Sequence, residues 1–241
     1  MRFSFNQIKS LLDSFVVDFS QLYLDFNQNK LGEQGVIDLS GYLSNCNYLD
    51  NLVLNLDWNL IGIQGIQILG SKLANNKSIK NLTLKLCGNN LFAQGISDLG
   101  IQLSRMPKLQ SLNIYLGQNC IKSQGIIDFS TALINCKNLQ VLVLFINGNN
   151  IGEQGAITLG SNLSKFQNLK ELAIYLHSCN TGNKGAYMMC NQISKSKSIT
   201  NLMIDLNQNQ INNLNKLKLE AQIKKTLRLS KLKIILKIQC Y

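Results

Sequence analysis

Apolar and polar positions repeat along this chain with a period of 30 residues. Leu22, Leu52, Leu82, Leu112, Leu142, Leu172, Leu202 and Leu232 share one frame, and no insertion breaks it. The second copy shows the motif in full: Leu52-x-Leu54-x-Leu56-x-x-Asn59-x-Ile61-Gly62-x-Gln64-Gly65-x-x-x-Leu69-Gly70-x-x-Leu73, with Ile79 just before the next copy.

The alternation at the start of each copy has period two, which predicts a strand with its leucines turned to one side. After the glycine, Ile66, Leu69 and Leu73 fall at helical spacing, as do Val36, Leu39 and Leu43 one copy earlier. Each copy therefore reads as strand, turn and helix. A unit this small cannot bury its own apolar face, so the copies must stack, strands into a parallel sheet and helices across its back. The expected architecture is a curved α/β solenoid.

Two further columns keep the same period. Asn29, Asn59, Asn89, Asn119, Asn149 and Asn209 stand where the chain leaves the strand, with Cys179 in that place in the sixth copy. Backbone groups lose their ladder partners there, and a buried amide both donates and accepts, so these side chains are expected to satisfy the turn. Gly35, Gly65, Gly95, Gly125, Gly155 and Gly185 recur where each helix begins. Either a positive φ or a close approach of neighbouring backbone requires them.

These residues resemble the leucine-rich repeat family in its ribonuclease-inhibitor-like form, through Leu-x-Leu-x-x-Asn-x-Ile as in Leu54, Leu56, Asn59 and Ile61. The resemblance covers about nine tenths of the chain and implies a horseshoe with a parallel concave sheet and convex helices. It also implies recognition rather than catalysis, sometimes as an inhibitor, a GTPase regulator or a scaffold subunit. The repeat departs from that form in an additional inward leucine, which predicts a broader strand. Abundant Asn, Gln, Lys and Ile resemble the composition of proteins from A/T-rich genomes, such as a ciliate's.

The reading divides the chain into an N-terminal cap helix and lead-in at 1–21, seven repeats at 22–231 and an eighth strand at 232–241. Ser4-x-x-Gln7 is a possible capping box, and Ile8, Leu11, Leu12 and Phe15 share a helical face. The seventh copy carries Asn215 in the glycine column, while Leu219, Ile223 and Leu229 keep the helix and turn in frame.

Composition narrows the class. With 45% hydrophobic and 15% charged residues and a single proline, the chain is expected to fold rather than remain disordered. Its longest apolar stretches are a few residues, so no transmembrane helix is expected. Asp13 within the first apolar stretch and the lack of a small-residue cleavage site argue against a secretory signal, making the cytoplasm the expected compartment. Seven cysteines without a Cys-x-x-Cys pair fit neither a disulfide framework nor a zinc site, and read as reduced, mostly packed thiols. Asn76-Lys-Ser and Asn81-Leu-Thr match the glycosylation pattern, which has no meaning without secretion.

A single histidine, His177, lowers the prior for acid–base and metal chemistry. Cys179 lies two residues away but occupies the asparagine column, and should turn inward away from the imidazole. Carboxylates are scattered about one per repeat, and the glycines follow the structural period rather than a phosphate-binding loop. No catalytic residue, metal or cofactor is expected.

The net charge of +11 is concentrated at one end. Residues 1–215 hold 16 Lys+Arg against 12 Asp+Glu, whereas 216–241 hold 8 against 1. Lys224, Lys225, Arg228, Lys231, Lys233 and Lys237 either protect an edge strand or contact an anionic partner.

Residues between the inward leucines face out from the concave sheet. The middle outward column reads Asp25, Asn55, Lys85, Tyr115, Phe145, Tyr175, Asp205 and Ile235. At a strand spacing of about 4.8 Å, Tyr115, Phe145 and Tyr175 should form a continuous stripe, with Val143 and Ala173 beside it. Such a stripe is either a binding patch or a cross-strand pairing that stabilises the sheet. Trp58 serves as a second anchor or as a packing residue. The preferred reading is a non-catalytic protein-interaction module or scaffold subunit using Tyr115, Phe145, Tyr175, Val143, Trp58, Lys85 and His177. The alternative is electrostatic binding to an acidic protein, membrane surface or nucleic acid through the lysine-rich end. Asp25, Asp57 and Asp205 beside Lys85, Lys233 and Lys237 argue against a nucleic-acid groove.

Overall fold

Residues 20–212, 217–218, 221 and 231–235 are described by the structure, a computed structural model. Eight strands lie among them: β1 (Gln21–Asp25), β2 (Asn51–Asn55), β3 (Asn81–Lys85), β4 (Ser111–Tyr115), β5 (Val141–Phe145), β6 (Glu171–Tyr175), β7 (Asn201–Asp205) and β8 (Lys231–Ile235). Between the first seven strands run α1 (Gly32–Leu43), α2 (Gly62–Asn75), α3 (Phe92–Leu103), α4 (Lys122–Leu133), α5 (Gly152–Leu163) and α6 (Gly182–Ile193). The cap helix expected within 1–21 lies outside the described residues except at Ser20 and Gln21. So do Leu219, Ile223 and Leu229 of the seventh repeat.

All eight strands pair in parallel in chain order, each offset from its neighbour by one repeat, from Leu22 opposite Leu52 to Leu202 opposite Leu232. This is the α/β leucine-rich repeat solenoid that the leucine frame predicts. Packed helices sit about 8–10 Å apart and strands about 4.8 Å, so stacking bends the array with the sheet on its inner side.

The third inward leucine extends the ladder beyond the strand proper. Leu56 is fully buried, its N–H donates to Lys85 O at 2.8 Å, and the Trp58 N–H donates to Cys87 O at 2.8 Å. The expected broader strand thus appears as regular pairing that continues into the turn.

From Asn59 onward each column asparagine ties two repeats together. Asn59 Oδ1 accepts the N–H groups of Asn29 (3.1 Å) and Leu31 (3.2 Å), while its Nδ2 donates to Phe26 O at 2.8 Å and Asp57 O at 3.0 Å. Asn89, Asn119, Asn149 and Asn209 repeat the arrangement. None of the six helices has a side-chain cap of its own. For α1–α4 and α6 the neighbouring repeat's amide receives the N–H entering the helix instead, whereas at α5 the neighbouring position is Cys179.

Close approach explains the recurrent glycine, which has no positive φ. A Cβ on Gly125 would stand 2.8 Å from Ala93 Cα, and one on Gly185 would stand 2.9 Å from Glu153 Cα, in the preceding helix. The left-handed residues lie earlier, in the turn. Lys122 (φ 57°) and Phe92 (φ 52°) take the place that Gly32, Gly62, Gly152 and Gly182 hold in other copies.

Candidate protein-interaction face

Side chains facing out from the sheet are free of the repeat's packing demands, and here they differ most between copies. Tyr115, Phe145 and Tyr175 occupy register-matched positions on β4, β5 and β6. Strand spacing forces their rings face to face, with centroids 4.1 Å and 3.9 Å apart and planes within 9° and 7°. Lys85 Nζ lies 5.6 Å from the Tyr115 ring centroid, closing one end of the ladder with a cation–π contact. At the other end the Tyr175 hydroxyl donates to Met203 Sδ at 3.1 Å. Burial, reinforced by Tyr115 and Asp205, pushes the Tyr175 hydroxyl pKa up.

Beside the ladder a trough of about 780 Å³ opens on β5–β8. Val141, Val143, Ala173 and Met203 supply its apolar surface, and Glu171, Asn201, Lys231 and Lys233 its polar positions. The structure therefore brings Lys85, Tyr115, Phe145 and Tyr175 into one run and sets Val143 in the adjoining trough. The middle column alone does not reveal Val141, Glu171, Asn201 and Met203. The column two residues earlier in each strand already reads Val53, Thr83, Asn113, Val143, Ala173 and Met203, an apolar run confined to the later copies.

On β1–β4 several polar side chains of the sheet face are bonded to one another. Asn55 Nδ2 donates to Asp25 Oδ1 at 3.0 Å, Asn81 pairs with Asn51, and Asn113 donates to Thr83 Oγ1 at 3.3 Å. These ladders use up polar groups that a ligand would otherwise meet.

Trp58 stands apart from the ladder, in the turn after β2. Its ring lies on the backbone of Gly88 in the next repeat, where an added Cβ would come within 2.2 Å of Trp58 Cε3, and the residue is still 49% exposed. His177 follows β6, half-buried, its backbone N–H donating to Asn147 Oδ1 at 2.9 Å. Cys179 is fully buried, and its thiol donates to Ile146 O at 3.2 Å. Burial pushes the Cys179 pKa up to about 11, which suppresses the thiolate that a nucleophile needs. Among the lysine-rich positions, Lys231 and Lys233 are exposed on the outward face of β8. Lys224, Lys225, Arg228 and Lys237 lie outside the described residues. Asn76 of the first glycosylation pattern is buried, with Nδ2 donating to Cys46 O at 2.8 Å.

Among the described residues no three His, Cys, Asp or Glu side chains gather as a metal site, and no helix is long and apolar enough to cross a membrane. The molecule is a repeat solenoid displaying a partly apolar sheet face.

No protein-family model matches the chain, and no curated protein does. Among solved structures it is similar to leiomodin-1 actin-binding site 2, with 11% identity, 78% of this chain and 88% of that chain covered, and a TM-score of 0.41. Strand order and register define the fold without that likeness.

Proposed function

We propose that this chain is a non-catalytic protein-interaction module, a cytoplasmic binding or scaffold subunit of the ribonuclease-inhibitor-like kind. Its repeats would run over 22–231 between a cap at 1–21 and an edge strand at 232–241. The partner docks on the sheet face of β4–β8, against Tyr115, Phe145, Tyr175 and Val143. The observation that carries this reading is the trough of about 780 Å³ beside a three-ring ladder. Outward positions need only be polar to keep a sheet soluble, and contiguous apolar surface of this kind marks interaction sites. Lys85 borders the same surface. Trp58 and His177 flank it as further contacts for a large partner.

A photo-crosslinking residue placed at Val143 tests the proposal, with the same residue at Ile101 on helix α3 as control. Adducts with a discrete protein from source-cell lysate are expected from Val143 and not from Ile101. Equal adducts from both positions, or adducts from Ile101 alone, would refute the sheet face as the docking surface.

A further inference from the structure

The trough is polarised by charge. Its apolar floor runs through Val143, Ala173 and Met203, and Lys233 stands directly opposite Met203 in the register of β7 and β8. Lys231 projects from the same face two residues earlier. Both lysines are exposed, and neither forms an ion pair with a described residue. Glu171 is the one acid in the lining, and it lies two strands from Lys231 in the same column.

On this basis, and resting on the sheet-face reading above, we infer that the trough takes an acidic protein segment, its apolar side chains on Val143, Ala173 and Met203 and its carboxylates on Lys231 and Lys233. Three strand spacings make the trough about 14 Å long, the reach of about four extended residues. Two ammonium groups beside an apolar floor complement a short segment that alternates Asp or Glu with large apolar residues.

Charge argues against the other occupants. A second copy of this chain would bring another net charge of +11 against the same lysines. Nucleic acid requires cations spread along a backbone path. The described sheet face instead carries Lys85, Lys231 and Lys233 against Asp25, Asp57, Glu171 and Asp205. A flat bilayer does not reach a floor recessed within a concave sheet.

The test is selection of a random-peptide display library on the intact protein, followed by anisotropy titration of the enriched peptides, labelled with fluorescein. The expected sequences combine Asp or Glu with Leu, Ile, Met or Phe. Their Kd should rise about tenfold in the Lys231→Glu, Lys233→Glu double variant, and should also rise with salt and on Ala173→Gln. Circular dichroism confirms that each variant stays folded. No enrichment, enrichment of neutral or basic peptides, or acidic peptides indifferent to charge reversal would overturn the inference. So would tighter binding of a single-stranded oligonucleotide or of phosphatidylserine vesicles through the same lysines. Neutral peptides that lose binding on Ala173→Gln would leave the sheet-face reading intact while removing the acidic occupant. Peptides indifferent to every sheet-face change would remove both.

Discussion

The Tyr175 hydroxyl donates to the Met203 sulfur at 3.1 Å, across the junction of β6 and β7. That bond joins the aromatic ladder, in one outward column, to the trough floor in the next. The two features form one surface, and stabilising the sheet is compatible with serving as a platform.

Phe145 is the only ring of the three stacked on both faces. Each stacked pair contributes about 0.5–1.5 kcal/mol beyond burial, so with the Lys85 contact to Tyr115 removed by Lys85→Ala in both backgrounds, Phe145→Ser should cost about 1 kcal/mol more than Tyr115→Ser. Urea unfolding of the two variants checks this. Equal costs would mean that the rings contribute independently of one another.

Cys179 breaks the asparagine column. Elsewhere the amide oxygen receives two N–H groups of the preceding turn, as Asn149 does for Asn119 and Ile121, and a sulfur takes that place in the sixth repeat. Restoring the amide with Cys179→Asn should stabilise the protein by about 1 kcal/mol. A rise in urea midpoint is the expected outcome, and a fall would show that the pocket is shaped to sulfur.

Lys122 holds a left-handed conformation at φ 57°, where four other repeats have glycine. A side chain there costs about 1–2 kcal/mol, partly offset by the greater unfolded-state entropy of glycine. Lys122→Gly should therefore raise stability by about 0.5–1 kcal/mol, read as a higher midpoint. Unchanged or lower stability would contradict the strain.

Burial pushes the thiols of Cys136 and Cys190 up to about 12 and that of Cys179 up to about 11, from 9.0. Such a group keeps its proton longer in the folded chain, so its stabilisation is complete below pH 9.0 and is lost as pH rises toward the folded values. Each thiol contributes a slope of about 1.4 kcal/mol per pH unit over that window. Unfolding midpoints measured from pH 7 to 11 should decline above pH 9, and less steeply in a Cys136→Ala, Cys190→Ala variant. An identical decline in that variant would assign the effect to other groups.

Across the described residues the repeat was legible in the sequence because its cause is local: alternating leucines make strands, helical spacing makes helices, and a constant period allows only stacking. The stripe of Tyr115, Phe145 and Tyr175 followed from the same register. The trough did not, because it depends on the volumes of side chains in neighbouring columns, and Val141 or Met203 taken singly reads as one more sheet residue. Gly125 shows a similar limit. Its column was evident, but whether backbone approach or dihedral angle required glycine depends on how far apart adjacent helices lie.

The account rests most heavily on the sheet face of β4–β8 as the place where a protein docks. The decisive measurement is quantitative affinity capture from source-cell lysate, comparing the intact chain with a folded variant carrying Tyr115→Ser, Phe145→Ser and Tyr175→Ser. A specific partner retained by the intact chain and lost by the variant is the predicted result. Capture of the same partner in the same amount by both proteins would contradict it and move the interface to the helices or the lysine-rich end.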